Sequence, residues 1–117
     1  MVISVCIVTR GTNIVGEYSI INDDIVADIV TIISRNTIPS TRLVPIGSRY
    51  CAILNKMIHD ELISFACIID SNEDRDTCFD YIDSISSFYE KEYDNPKMTS
   101  ERNVFISKHI KMTMVYI

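Results

Sequence analysis

The sequence predicts an α+β fold in which a single sheet is covered on both faces. Residues 61–69 form an apolar run without the polar alternation of a half-exposed strand, so this segment is expected to be a buried central strand. Residues 74–92 follow with apolar side chains at helical spacing, which predicts an amphipathic helix. These side chains are Cys78, Phe79, Ile82, Ile85 and Tyr89. The full order of predicted elements is two strands, a helix, three strands and two helices.

The chain opens with a predicted hairpin. Residues 2–9 are mostly apolar, and residues 10–13 contain the glycine and asparagine that a turn needs. Residues 14–20 are expected to return as the second strand. Gly16 lies inside that strand, which indicates a bulge.

The first helix is predicted to begin at a cap supplied by Asn22, Asp23 or Asp24 and to end near Arg35. Its apolar positions cover about 160° of arc, whereas an ordinary surface helix has a stripe of about 100°. The helix therefore has apolar surface beyond what one sheet face buries. The apolar positions are 25, 26, 29, 30, 32 and 33.

The second half of the sheet is predicted from residues 42–46 and 49–57, two strands joined by a turn at 47–48. Pro45 favours an edge position for the first of these strands because proline cannot donate a ladder hydrogen bond. The next turn, at 58–60, contains no glycine, so its type stays open.

A third helix is predicted in the last part of the sequence. Residues 95–96, an Asn-Pro pair, are expected to end the long helix, whose own cap is supplied from residues 70–72. Thr99 or Ser100 then begins a last helix, which continues to Met114.

Composition indicates one globular domain over residues 1–117. Hydrophobic residues make up 47% of the chain, which is enough for a core. A net charge of −5 argues against nucleic acid as a partner. The four cysteines lie in apolar runs without C-x-x-C spacing, which predicts buried, reduced thiols in a cytosolic protein. The sequence shows neither a signal peptide nor an apolar run of membrane length, so this part of the protein is expected to be soluble.

The residue pattern also argues against enzymatic chemistry. The acidic groups at 23–24 and 73–76 both precede predicted helices, where carboxylates act as caps and dipole partners. The three glycines do not form a phosphate-binding loop, and the two histidines are far apart. We therefore expect no catalytic residues, no cofactor, no metal and no small-molecule substrate.

An ordered set of residues carries a family resemblance along the whole chain. It comprises the opening apolar strand, Arg10-Gly11-Thr12, Ile14, Leu43, Tyr50, Cys67-Ile68-Ile69-Asp70, Arg75, Cys78-Phe79, Tyr81-Ile82, Ile85, Tyr89 and Tyr93. With these residues in this order, the chain resembles the longin domain at the N-terminus of certain vesicle SNAREs. The similarity is greatest to the tetanus-insensitive vesicle-associated membrane proteins.

The resemblance implies a profilin-like longin fold. This is a five-stranded antiparallel sheet of order 2-1-5-4-3, with one helix on one face and two on the other. It implies a non-enzymatic regulatory and targeting domain, monomeric, on the cytoplasmic face of endomembranes. Its partners would be a SNARE helix, from the same protein or from cognate SNAREs, and trafficking adaptors. A SNARE motif and a membrane anchor are expected downstream of this segment.

A binding groove is predicted where the wide apolar arc of the first helix meets the edge strand. The predicted groove residues are Ile25, Ile29, Ile32, Leu43, Val44, Pro45 and Ile46. The alternative is that these side chains are ordinary core. The core alternative is favoured for Ile29, whereas for Leu43 and the residues at the helix margins both alternatives stay open. Basic residues at positions 35, 42 and 49 would either rim this groove or serve as scattered solubilising charges.

Two other functions compete with the SNARE hypothesis. Within the same fold, the chain would be a small subunit of a coat adaptor or of a TRAPP-like tethering complex. In another class, it would be a small-molecule sensor or enzyme on a PAS- or profilin-like sheet, which requires an internal cavity with convergent polar groups. The element order disfavours a PAS-like sensor, because such a sensor has helices between its second and third strands.

Overall fold

In the computed structural model, which describes residues 3–21 and 24–114, five antiparallel strands form one sheet in the order β2-β1-β5-β4-β3. The strands are β1 (Ile3–Arg10), β2 (Asn13–Ser19), β3 (Ser40–Ile46), β4 (Arg49–Ile58) and β5 (Glu61–Ile69). The predicted strands and the strand order are confirmed. The predicted start at Val2 lies outside the described residues.

The helices are α1 (Ile25–Ser34), α2 (Arg75–Lys91), α3 (Pro96–Ser100) and α4 (Arg102–Met114), and a 3₁₀ turn (Asn72–Asp74) precedes α2. The predicted last helix is α4, which begins at Arg102 rather than at Thr99 or Ser100, whereas the short helix α3 before it was not predicted. The Asn95 side chain caps α3 by accepting a hydrogen bond of 3.0 Å from the Lys97 N–H. Pro96 suits the first helical position, where no N–H is needed. The Asn-Pro pair thus starts α3, whereas α2 already ends at Lys91, four residues before Asn95.

The caps of the two longer predicted helices differ. Ser71 accepts a hydrogen bond from the Glu73 N–H at 3.2 Å, so the predicted cap before α2 is confirmed at the 3₁₀ turn. Asp24 occupies the cap position of α1 but makes no side-chain hydrogen bond to the helix. Asn22 and Asp23, the other predicted caps of α1, lie outside the described residues.

Side chains of the central strands alternate between two buried clusters. On β5, Ala66 and Ile68 belong to one cluster, whereas Phe65 and Cys67 belong to the other. Helix α1 contributes Ile25, Ile29 and Ile33 to the first cluster. Helices α2, α3 and α4 contribute to the second. This division explains why β5 is apolar at successive positions: both of its faces are buried from Ile63 to Ile69.

The bulge predicted at Gly16 is present, and it brings β2 close to α4. The pairing of β1 with β2 shifts between Val8, opposite Gly16, and Thr9, opposite Ile14. A Cβ on Gly16 would overlap the side chain of Ile106 in α4. The Glu17 N–H donates to Ser107 Oγ at 2.9 Å, and this hydrogen bond also holds β2 close to α4. Glycine at position 16 is therefore required by packing.

The β4–β5 turn consists of His59 and Asp60, because Ile58 pairs with Glu61. Both turn residues have positive φ, 50° for His59 and 64° for Asp60. These angles are those of a type I′ hairpin turn, which usually contains asparagine or glycine. The His59 ring stacks on Tyr93 with 3.8 Å between centroids, so a contact to the end of α2 supports the turn.

We predict that Gly16→Ala lowers the free energy of unfolding by about 1–3 kcal/mol, because the new methyl group must push α4 away from β2. Urea denaturation followed by circular dichroism measures this change. Glu17→Ala is the matched control, since its side chain is exposed on the same strand, and its effect should stay within about 0.5 kcal/mol. Equal stability of the two variants would contradict the packing described at Gly16.

Candidate functional site

Helix α1 lies beside the edge strand β3 and runs in the opposite direction. At the start of the helix, Ile25 and Asp28 border the same depression as Ile46, the last residue of β3. At its other end, the Asn55 amide of β4 donates to the carbonyl oxygens of Asn36, at 3.1 Å, and Ile38, at 3.3 Å. These bonds hold the segment that connects α1 to β3. We call the surface between α1 and β3 the α1–β3 groove.

Alternation along β3 divides the predicted groove residues between two faces. Val44 is opposite Cys51 and, like Ile46, packs half-buried against the cluster that contains α1. Leu43 is opposite Ala52 and packs half-buried against the other cluster. Pro45 is exposed and alternates with Val44, so it lies on the Leu43 side. Only Val44 and Ile46 of the four predicted strand residues therefore line the α1–β3 groove.

The predicted helix residues differ in how much surface they retain. Ile29 is 0% exposed and Ile25 is 7% exposed, so both are mainly core side chains of the α1 cluster. Ile32 is half-buried and lies one turn beyond Asp28, on the margin that faces β3. The candidate apolar side chains of the groove are thus half-buried Ile32, Val44 and Ile46, and Ile25 borders the depression at the start of the helix.

Arg42 gives the groove a feature that the sequence did not predict, since this residue was expected either to rim the groove or to be a scattered solubilising charge. It pairs with Ile53, which places its side chain on the α1 face of β3. Its Nε and Nη2 atoms are buried and lack a hydrogen-bond partner among the residues that the structure describes. A guanidinium normally has acceptors for its buried N–H groups. Arg42 therefore has unused capacity for a carboxylate or a carbonyl oxygen.

The remaining charges make the groove polar along its length. Asp24 and Asp28, both exposed, lie at the end near Ile46. Arg35 is exposed at the opposite end, where α1 finishes. Arg49 does not complete a rim, since its Nε pairs with Asp70 at 3.2 Å. A ligand segment would meet carboxylates at one end and guanidinium groups toward the other.

The groups most suited to nucleophilic chemistry are deeply buried. All four cysteines are free and buried. Burial raises the pKa of Cys51 to about 12, and Cys78 adds to the shift. Burial, with hydrogen bonds to Cys6 and Cys78, also raises the pKa of the Cys67 thiol well above its ordinary value. Within 3–21 and 24–114, His, Cys, Asp and Glu side chains do not gather in a group of three or more that could hold a metal ion.

We predict that the four thiols of the native protein resist alkylation, because all four are buried and, for Cys51 and Cys67, burial also raises the pKa and disfavours the reactive thiolate. Incubation with iodoacetamide at pH 8, followed by intact mass measurement, should show little modification of the native protein. The unfolded protein in guanidinium chloride should add four carbamidomethyl groups, one for each cysteine. Rapid native labelling of Cys51 or Cys67 would contradict the burial described for them.

Comparison with known proteins does not assign the chain to a family. No family model matches the chain, and no curated protein is significantly similar to it. Across the described part of the chain, helices are too short or too polar to cross a bilayer. The longin assignment therefore remains a prediction, supported by the order β2-β1-β5-β4-β3.

Proposed function

We propose that this chain is a non-enzymatic regulatory and targeting module of a vesicle SNARE. It binds a SNARE helix or a trafficking adaptor in the α1–β3 groove, at the cytoplasmic face of endomembranes. The observation that carries the proposal is the combination of half-buried Ile32, Val44 and Ile46 with the buried Nε and Nη2 atoms of Arg42, which have no hydrogen-bond partner within residues 3–21 and 24–114. The resemblance to longin domains is the reason for proposing a SNARE helix or a trafficking adaptor as the partner.

The groove suits a polypeptide better than a small molecule. Strand β3 is at the edge of the described sheet, so its outer side can pair with an added strand. The apolar side chains beside it can take the alternate side chains of that strand or the apolar stripe of a helix. A carboxylate of the bound segment would satisfy Arg42 through a charge-assisted hydrogen bond.

The affinity expected for a segment in the α1–β3 groove is weak enough for reversible binding. Full burial of an aliphatic side chain contributes about 1.5–3 kcal/mol. The three groove side chains are already half-buried, so binding gains only part of that amount for each and must also offset the ordering of the partner. A segment tethered to the same chain has an effective concentration of about 1 mM, which allows a weak contact to hold a closed state.

We predict that Val44→Asp weakens binding of SNARE-helix peptides at least about tenfold, because a carboxylate would be placed in the apolar part of the groove. Isothermal titration with a panel of synthetic peptides from vesicle and target-membrane SNAREs measures the affinity. Thr41→Asp is the matched control, since Thr41 is exposed on the same strand and alternates to the opposite face.

Two results would contradict the groove assignment. Equal affinities of Val44→Asp and Thr41→Asp would place the site elsewhere. Failure of every SNARE peptide to bind, together with tight co-purification of a large assembly, would favour the coat-adaptor or tethering-subunit alternative. Circular dichroism of both variants shows whether the fold is retained.

We predict opposite effects of Arg42→Met on stability and on binding. The free protein should gain about 1 kcal/mol, since an unsatisfied buried polar group costs about 1–3 kcal/mol. Peptide binding should weaken, because the partner loses its guanidinium contact. Denaturation and titration of the same preparation test both effects. A variant that is less stable and binds normally would show that Arg42 serves the fold alone.

A further inference from the structure

Helix α4 carries apolar side chains on two sides. Ile106, Ile110 and Met114 are fully buried toward the sheet. On the outward side, Val104 is 65% exposed and Met112 is 59% exposed. A surface helix normally confines its apolar residues to the stripe that faces the core. The second stripe on α4 therefore calls for an explanation other than packing within the domain.

The outward stripe continues into a row of stacked rings. Phe88 of α2 stacks on Phe105 of α4, with 5.5 Å between ring centroids and 30° between planes. Phe88 also stacks on His109, at 3.6 Å and 2°. Burial lowers the pKa of His109, against a smaller opposing effect of Glu92, so the imidazole is uncharged at neutral pH. The three rings form a continuous, mainly apolar floor between the two helices.

This floor belongs to a depression between α2 and α4 that has lysines at its rim. Its lining residues are Phe88, Lys97, Phe105, Lys108, His109 and Met112. We call it the α2–α4 depression. Lys97 and Lys108 are exposed, and neither takes part in the ion pairs found among the described residues. A second depression on the other side of Phe105 shares both lysines.

The α3–α4 side of this depression carries a charge opposite in sign to that of the whole chain. Residues 96–114 contain Lys97, Arg102, Lys108 and Lys111 against the single acidic residue Glu101, whereas the chain has a net charge of −5. Arg102 is occupied internally, since its Nε donates to the Met98 carbonyl oxygen at 2.7 Å. The lysines are the cations that remain available to a partner. Their position around an apolar floor selects for a ligand with both carboxylates and apolar side chains.

We propose that the α2–α4 depression is a second docking surface, which binds an acidic amphipathic helix of a partner protein. An apolar side chain of the partner enters over Phe88, Phe105 and Met112, and carboxylates beside it pair with Lys97 and Lys108. This mode is helix-in-groove recognition with an electrostatic rim. It uses different residues from the α1–β3 groove and does not depend on the function proposed for that groove.

An anionic membrane is a poorer fit to the same residues. Glu101 borders the adjoining depression, and Glu92 is close enough to act on His109. A flat, negatively charged bilayer would meet these carboxylates and the overall negative charge of the chain. A single helix can place its carboxylates on the lysines and leave the glutamates uncovered.

Titration of the ¹⁵N-labelled protein with a designed helical peptide tests the proposal. The peptide has leucine and phenylalanine at i, i+3, i+4 and i+7 and glutamates on both flanks of that stripe. A matched peptide has lysine in place of each glutamate. We expect the acidic peptide to shift amide signals of α2 and α4, and the lysine peptide to bind at least about tenfold more weakly.

Substitutions then distinguish binding at this surface from nonspecific attraction between the charges of the peptide and the protein. Lys108→Glu and Phe105→Ala should each weaken binding of the acidic peptide at least about tenfold. Arg75→Glu makes the same change of net charge as Lys108→Glu at the far end of α2, where Arg75 is exposed, and should leave the affinity within about twofold. Val44→Asp, in the α1–β3 groove, should leave it unchanged. Thermal denaturation checks that Phe105→Ala remains folded.

The following outcomes would overturn the proposal. One is the absence of any shift with about 1 mM acidic peptide, the weak end of specific recognition. A second is equal loss of affinity in Lys108→Glu and Arg75→Glu. A third is binding to phosphatidylserine vesicles without binding to the peptide, which would make the surface a membrane contact. A fourth is concentration-dependent dimerisation in sedimentation that Phe105→Ala abolishes, which would make it a self-association face.

Discussion

Burial of the two central strands on both faces is the constraint on which the rest of the structure depends. Strand β1 is buried from Ile3 to Thr9, and its neighbour β5 is buried from Ile63 to Ile69. Full burial of each large aliphatic side chain is worth about 1.5–3 kcal/mol, so neither face of these strands can be left in water. Helices must therefore cover both faces, and the less apolar strands β2 and β3 form the edges of the described sheet. The α1–β3 groove exists because one covering helix lies next to one of these edges.

A buried polar network fixes where that groove lies. Ser64 of β5 donates to Asn55 Oδ1 of β4 at 2.7 Å, and the Asn55 amide donates to Asn36 and Ile38 after α1. Asn55 is 2% exposed, so these partners are needed to satisfy its polar atoms. The network connects β4 and β5 to the segment that turns from α1 into β3. It therefore holds in place the segment that sets the helix beside the edge strand.

The two proposed docking surfaces belong to different clusters of the domain. The α1–β3 groove adjoins the cluster that contains α1, whereas the α2–α4 depression is formed by helices that pack on the other cluster. Their charges also differ: the groove has Asp24 and Asp28 at one end and Arg42 toward the other, and the depression has lysines at its rim. Partners bound as proposed would therefore lie over different clusters of the domain. A domain arranged in this way can join two segments that carry different charge patterns.

The sequence by itself determined the five strands and the three longer helices, since hydrophobic periodicity and turn residues are local properties, but it did not indicate the short helix α3. The continuous apolar run of β5, the bulge at Gly16 and the cap at Ser71 were all predictable in this way. Alternation along β3 was also available in the sequence, and it already implies that Leu43 and Val44 cannot line one groove. Only the tertiary structure decided that Nε and Nη2 of Arg42 find no hydrogen-bond partner in the described part of the chain and that Phe88 stacks on His109. Those facts depend on which distant residues the register and helix packing bring together, and no local pattern specifies such neighbours.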